Sequence, residues 1–268
     1  MTRIWAIAQN TFLEAVRQRF FFLLLVLGLG MLGLGVWLRQ LDFGGYQVKF
    51  VADIGLGAQG LFGMLLAVVA TVQLFFAELD NRTAWMLFAR PVRRWEFLFG
   101  KLVGIMLLLV VYSLAMTGLL AVVLVAVASG NATEAEPLRA NLGGLAIYTV
   151  LQWIKWMVLV AATLVICSFT RGQLFAVVAA FMVAVIAHLQ YAAMEGWERL
   201  ENIVLRGFTW LIAHVFPNFQ LFNVGDVLLF PDRIILGAQD VLRISGYGLI
   251  YAAAYFIIAA WILRKREL

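Results

Sequence analysis

The sequence predicts an all-α polytopic membrane protein, and three observations carry that reading. Hydrophobic residues make up 64% of the 268 positions and charged residues only 13%. Mean hydropathy is +0.96, far from the composition of soluble domains, where about a quarter of residues are charged. Six segments, finally, are apolar over the roughly 20 residues that a helix needs to cross about 30 Å of hydrocarbon.

Residues 1–19 come first. Ile4, Ile7, Ala8, Phe12, Ala15, Val16 and Phe20 recur at helical spacing, while Arg3, Gln9, Asn10, Glu14, Arg17 and Gln18 fill the other face. With Trp5 near its start, this pattern predicts a helix lying in the membrane interface; the plainer alternative is an extension of the first span. A cleaved signal peptide is not expected, because no small-residue cleavage site follows the next apolar run.

The six spans are expected at 20–38, 54–77, 102–128, 142–167, 174–194 and 244–263. The first three carry no charge, the fourth contains Lys155 and the fifth contains His188. The run GLGMLGLG from Gly28 to Gly35 reads as a close-packing face, since small residues let membrane helices approach. Gly100 and Gly104 form a second, weaker signal of that kind at the start of the third span. The single cysteine, Cys167, excludes an internal disulfide framework and lacks partners for a Cys-rich metal site.

Six spans put both termini on one side, and the basic residues choose the side. With the termini in the cytoplasm, twelve of the 20 Lys and Arg residues fall inside and seven in the longer outer segments, while ten of the 15 acidic residues fall outside. The sequence pI of about 9.6 therefore reflects inner-face arginines attracted to anionic lipid or an acidic partner, with no sign of a nucleic-acid site. Both termini are therefore expected on the cytoplasmic side of the membrane.

Two connections stand out. Residues 78–101, ELDNRTAWMLFARPVRRWEFLFGK, form the largest inner loop. Pro91 divides it into two helical pieces, since proline breaks a preceding helix and suits the first turn of a new one. Trp85, Phe88 and Ala89 share one side of the first piece. In the second piece Arg93, Arg94 and Lys101 suit the headgroup region and Trp95 the aromatic belt, which is a membrane anchor. Residues 195–243 form the long outer segment. Leu200, Ile203, Val204, Leu211, Ile212 and Val215 recur at helical spacing, and the apolar piece from Val224 to Phe230 is too short to span, so the segment is expected to be partly helical and re-entrant.

An ionisable residue in a span is a candidate functional group by default. Lys155 lies between Trp153 and Trp156, so two readings compete: it snorkels toward the outer interface, which the flanking tryptophans favour, or it contacts the translocation path. His188 is the second candidate for the path, against a packing role. Two histidines without a nearby cysteine or carboxylate make only a weak metal site and read as hydrogen-bonded packing residues, and the scattered methionines read as apolar filler. Glu195, Glu198 and Glu201 are three apart and share a solvated face.

Taken in order, these features resemble the membrane subunit of ABC-2 type transporters, and most closely the six-span, half-size permeases without their own ATPase domain. The likeness rests on an interfacial helix, two spans, an inner loop with Glu78, Thr83, Pro91, Arg93, Arg94, Gly100 and Lys101, three more spans, a long outer segment, a last span and the basic tail Arg264-Lys265-Arg266. It implies one ABC-2 type transmembrane domain over 1–268 in a bacterial cytoplasmic (inner) membrane that dimerises, as a homodimer or heterodimer, and pairs with a separate ABC ATPase subunit to drive transport, with export as the expected direction. By position, Asn81, Arg82, Thr83, Trp85, Met86, Phe88 and Ala89 would form the coupling helix that seats on the ATPase and tilts the spans when the ATPase closes. No G-x-x-x-x-G-K-[ST] phosphate loop occurs in the chain, so ATP and magnesium are expected in the partner; here no cofactor, metal or catalytic residue is expected. A secondary transporter driven by an ion gradient is the first rival, although repeated halves are not evident, and a non-transporting membrane scaffold is the second.

Overall fold

The computed structural model describes residues 2–39, 47–80, 93–129, 138, 141–200, 202–230 and 236–265. They form an all-helical bundle, without a strand among the described residues, and six of the helices are long and apolar enough to cross a membrane. Helix α1 (Thr2–Arg17) is followed by the first three long helices, α2 (Arg19–Leu38), α3 (Gln47–Asp80) and α4 (Arg94–Ala128). Next come α5 (Gly143–Phe169) and α6 (Gln173–Gly196). After a single 3-10 turn at Trp197–Arg199, the segment beyond α6 contains α7 (Ile203–Val215), a 3-10 turn at Phe219–Phe222 and the short α8 (Gly225–Leu229), before α9 (Ala238–Lys265) ends the described chain.

Several spans extend beyond their apolar cores, and local polar contacts explain why. The backbone N–H of Arg93 donates to the Glu96 carboxylate at 2.8 Å, so α4 starts well before the charge-free stretch. Gly237 N–H donates to Asp240 in the same way at the start of α9. At the start of α3, Lys49 pairs with Asp226 at 3.1 Å.

Helix α5 sits at the centre, touching α3, α4, α6, α8 and α9, and it is buried on nearly all sides. The peripheral spans each bury one stripe. On α2 the stripe is Phe21, Leu24, Gly28, Leu32 and Gly35, and on α6 it is Ala176, Ala180, Ala184, Ala187 and Gln190. On α9 it is Gly248, Ala252, Ala259 and Leu263. Small residues dominate because association in lipid depends on close backbone approach rather than on removing apolar surface from water. Half of the Gly28–Gly35 run serves this purpose: Gly28 meets Met116 and Gly35 meets Ile54, whereas Gly30 and Gly33 face open space.

Polar side chains join the central helices. Gln59 on α3 donates to Thr117 on α4 at 3.0 Å, and the Thr117 and Thr149 hydroxyls lie 2.7 Å apart, carrying the chain on to α5. The Trp153 indole N–H donates to the Met106 carbonyl at 3.1 Å, and Trp156 is fully buried against Tyr112. These tryptophans are packing residues and not interfacial markers. Hydropathy shows how deep a residue lies along a span but not which way it faces, and both face neighbouring helices.

Helix α1 packs on α4 through Ile7, Ala8, Thr11 and Ala15, all buried. Its seat is the Gly100/Gly104 pair. A methyl group at Gly104 would fall 2.7 Å from the Ala8 carbonyl oxygen and 2.6 Å from Thr11 Cβ. Gly104→Leu is therefore expected to lift α1 from α4 at a cost of about 1–3 kcal/mol, read as faster protease cleavage of residues 2–17 in membrane vesicles. Unchanged cleavage would show that the seat does not hold α1.

Candidate functional site

Two regions concentrate polar side chains. The first is the basic end of the bundle, where the start of α2, the end of α3, the start of α4, the start of α6 and the end of α9 meet. Arg19, Gln73, Ala77 and Gln173 line one recess there, and Arg93, Arg94, Trp95, Ala260 and Arg264 line another. The Arg94 guanidinium donates to the carbonyl oxygens of Leu263 and Arg264 at 2.7 and 3.1 Å, so a cation on α4 caps the carboxyl end of α9. Trp95 is 44% exposed beside it, and Arg93 is also exposed.

Lys101 departs from the anchor role expected of it. Its side chain is fully buried, and its Nζ donates to the Leu74 carbonyl on α3 at 2.8 Å and lies 5.8 Å from the Phe97 ring centroid. Lys101 lies seven residues, about two helical turns, beyond Arg94 on nearly the same side of α4, and its neighbour at that level is α3 rather than the end of α9. The residues expected to form the coupling helix, Asn81, Arg82, Thr83, Trp85, Met86, Phe88 and Ala89, lie outside the described residues, as does Pro91.

The second region is a cavity of about 230 Å³ between α3, α5 and α6, roofed by the 3-10 turn at Phe219–Phe222 and the residue after it. Lys155 lines this cavity and is 7% exposed, so it faces the interior and does not snorkel outward. Its Nζ lies 5.7 Å from the Phe219 ring centroid. His188 lies in the same wall; its Nδ1 donates to the Ala184 carbonyl at 2.9 Å and its ring meets Phe219 edge-on. The two intramembrane candidates are thus brought together.

Sequence reasoning missed four of their neighbours. Gln152 donates to the Phe222 carbonyl at 3.1 Å, tying α5 to the roof. Tyr148 donates to the Leu56 carbonyl on α3 at 3.0 Å. Asn223 stands at the rim with Gln220. Gln152 was readable: it precedes Lys155 by three residues and so shares its face.

The roof is held from several sides. Tyr247 on α9 accepts from the Asn218 backbone N–H at 2.8 Å, and Gly144 and Gly225 allow α8 to lie directly on α5. Gln190 on α6 donates to the Ala213 carbonyl and holds α7. The Lys49–Asp226 pair is part-exposed at 36% and 55%, so Asp226→Asn is expected to change stability by less than about 1 kcal/mol. A melting temperature that falls steeply in that variant would reassign the pair as the principal clasp of the roof.

Residues 12–187 match the family model described as ABC-2 family transporter protein. The chain belongs to the ABC-2 transporter family. Its six apolar helices are consistent with a permease, and ABC-2 membrane proteins work with an ABC ATPase partner. The match covers α2 to α5 and most of α6, including Gln152 and Lys155; His188, α7, α8 and α9 follow it in sequence. Among curated proteins no relative matches the chain.

Proposed function

We propose that this chain is the permease subunit of an ATP-driven exporter in a bacterial cytoplasmic membrane. Both termini are cytoplasmic, and two permease copies pair with two copies of a separate ATPase. The observation that carries the coupling half of this reading is the bracing around residues 81–92. Both flanks of that segment, the end of α3 and the start of α4, are joined by the buried Lys101–Leu74 bond, and α4 in turn holds α1 through Gly100 and Gly104 and α9 through Arg94. A push on the segment would therefore reach α1, α3, α4 and α9 together. The sequence supports the same reading, since the docking residues Asn81 to Ala89 sit between these braces and no phosphate loop is present for the chain to hydrolyse ATP itself.

The test is co-purification. The tagged permease, expressed with an ABC ATPase encoded beside it, is expected to capture that ATPase, and Trp85→Asp with Phe88→Asp is expected to reduce capture at least tenfold without lowering permease yield. Failure of the wild-type protein to bind the ATPase, or transport that continues without ATP on an ion gradient alone, would overturn the proposal.

A further inference from the structure

The polar cavity is unusual in one respect. Lys155 is buried in the spanning region, yet among the described residues no carboxylate pairs with it and no acceptor takes its protons. A cation inside a membrane protein is normally paired or exposed to water, because removing it from both is costly. The Phe219 ring offsets part of that cost. Beside it, the Gln152 side-chain oxygen is also buried without a hydrogen-bond partner, while its amide nitrogen is engaged by Phe222. His188, with Nδ1 donating to Ala184, presents Nε2 as a further acceptor in its neutral form.

These groups share one cavity of about 230 Å³, enough volume for several waters at about 30 Å³ each. The geometry points to a binding site for a small anionic group, a carboxylate or a phosphate, that sits on Lys155 and belongs to a ligand with an N–H or O–H donor for Gln152. The Lys155 ammonium supplies the charge and up to three donors, and Gln220 and Asn223 at the exposed rim supply neutral polar contacts along the way in. An apolar solute would leave both Lys155 and Gln152 unsatisfied and is disfavoured for that reason. The anion has two potential sources, a water-soluble solute and a phospholipid headgroup, which offer the same chemistry to Lys155. The site is defined on this chain alone, so failure to capture an ATPase would leave it standing.

Binding is tested on the purified full chain in a neutral detergent. Sodium phosphate and sodium acetate, each compared with sodium chloride at equal ionic strength, are expected to raise the melting temperature by about 3–5 °C at ten times the dissociation constant. Lys155→Met is expected to abolish that rise and Lys155→Arg to keep it, while Gln152→Leu is expected to leave the acetate response intact and to reduce that to phosphate, which near neutral pH carries an O–H for the Gln152 oxygen. Lys155→Gln replaces the methionine variant if that protein does not fold. If the anion comes from lipid, native mass spectra of wild-type protein are expected to retain an anionic phospholipid that Lys155→Met loses. An equal temperature rise in the Lys155 charge-loss variant would overturn the site. So would wild-type protein that neither responds to phosphate and acetate nor retains an anionic lipid through Lys155.

Discussion

Gly63→Leu is expected to destabilise the bundle strongly by forcing α3 away from α5. A methyl group added at Gly63 on α3 would lie 2.0 Å from Cζ2 of Trp156, and three atoms of that indole lie within 2.6 Å of it. Trp156 has nowhere to go: it is fully buried on the central helix and packs edge-on against Tyr112 with ring centroids 5.9 Å apart. Overpacking of a filled core costs about 1–3 kcal/mol and occasionally more, and here the flexible relief that a long side chain would offer is missing. The measurement is detergent-solubilised melting temperature together with the fraction of monodisperse protein. Because Trp156 adjoins Lys155 in sequence, a folded remnant of this variant is also expected to show an altered cavity. Wild-type melting behaviour would show that α3 and α5 do not meet at Gly63.

Lys101→Glu is expected to have an effect at least as large, and on coupling as well as on folding. The substitution replaces a buried donor to the Leu74 carbonyl by a carboxylate facing the same oxygen. Loss of a buried hydrogen bond to a charged donor costs about 1.5–3 kcal/mol, and the introduced charge has no solvent. Lys101→Met keeps the length and apolar stem, so it is expected to fold better than the Glu variant while losing the α3–α4 link. In vesicles carrying permease and ATPase, the Met variant is expected to retain ATPase capture but to lose at least half of its ATP-dependent transport. If transport is undiminished, the Lys101–Leu74 bond is not part of the coupling route.

The failures of the sequence reading share one cause. Lys101 shares one basic, aromatic run with Arg93 and Arg94, yet Arg94 grips the end of α9 while Lys101 bonds to α3. Lys155 was expected to reach outward because tryptophans flank it, yet Trp153 and Trp156 bind to and pack on neighbouring helices. In both cases the pattern along one helix does not show which neighbouring helix packs against the residue at that level. The cavity was half legible: Lys155 and His188 were singled out, whereas Tyr148 and Asn223 gain their role only when α3 and the roof are brought against α5.

Legible from residue order alone are the long apolar helices, the break in charge between the two ends, the need for an ATPase in another chain if transport uses ATP, and the family resemblance. Those properties are local, since the cost of placing peptide and charge in hydrocarbon adds up residue by residue along one segment. Only the tertiary structure decided that α5 is the central helix, that Gly100 and Gly104 seat α1, and that Lys155 ends in a cavity with Gln152 and His188. The physical reason is that a spanning helix is apolar on its lipid face and on its packed face alike. Hydrophobic pattern, which reveals the buried side of a helix in water, therefore says little about which side of a membrane helix its neighbours will cover.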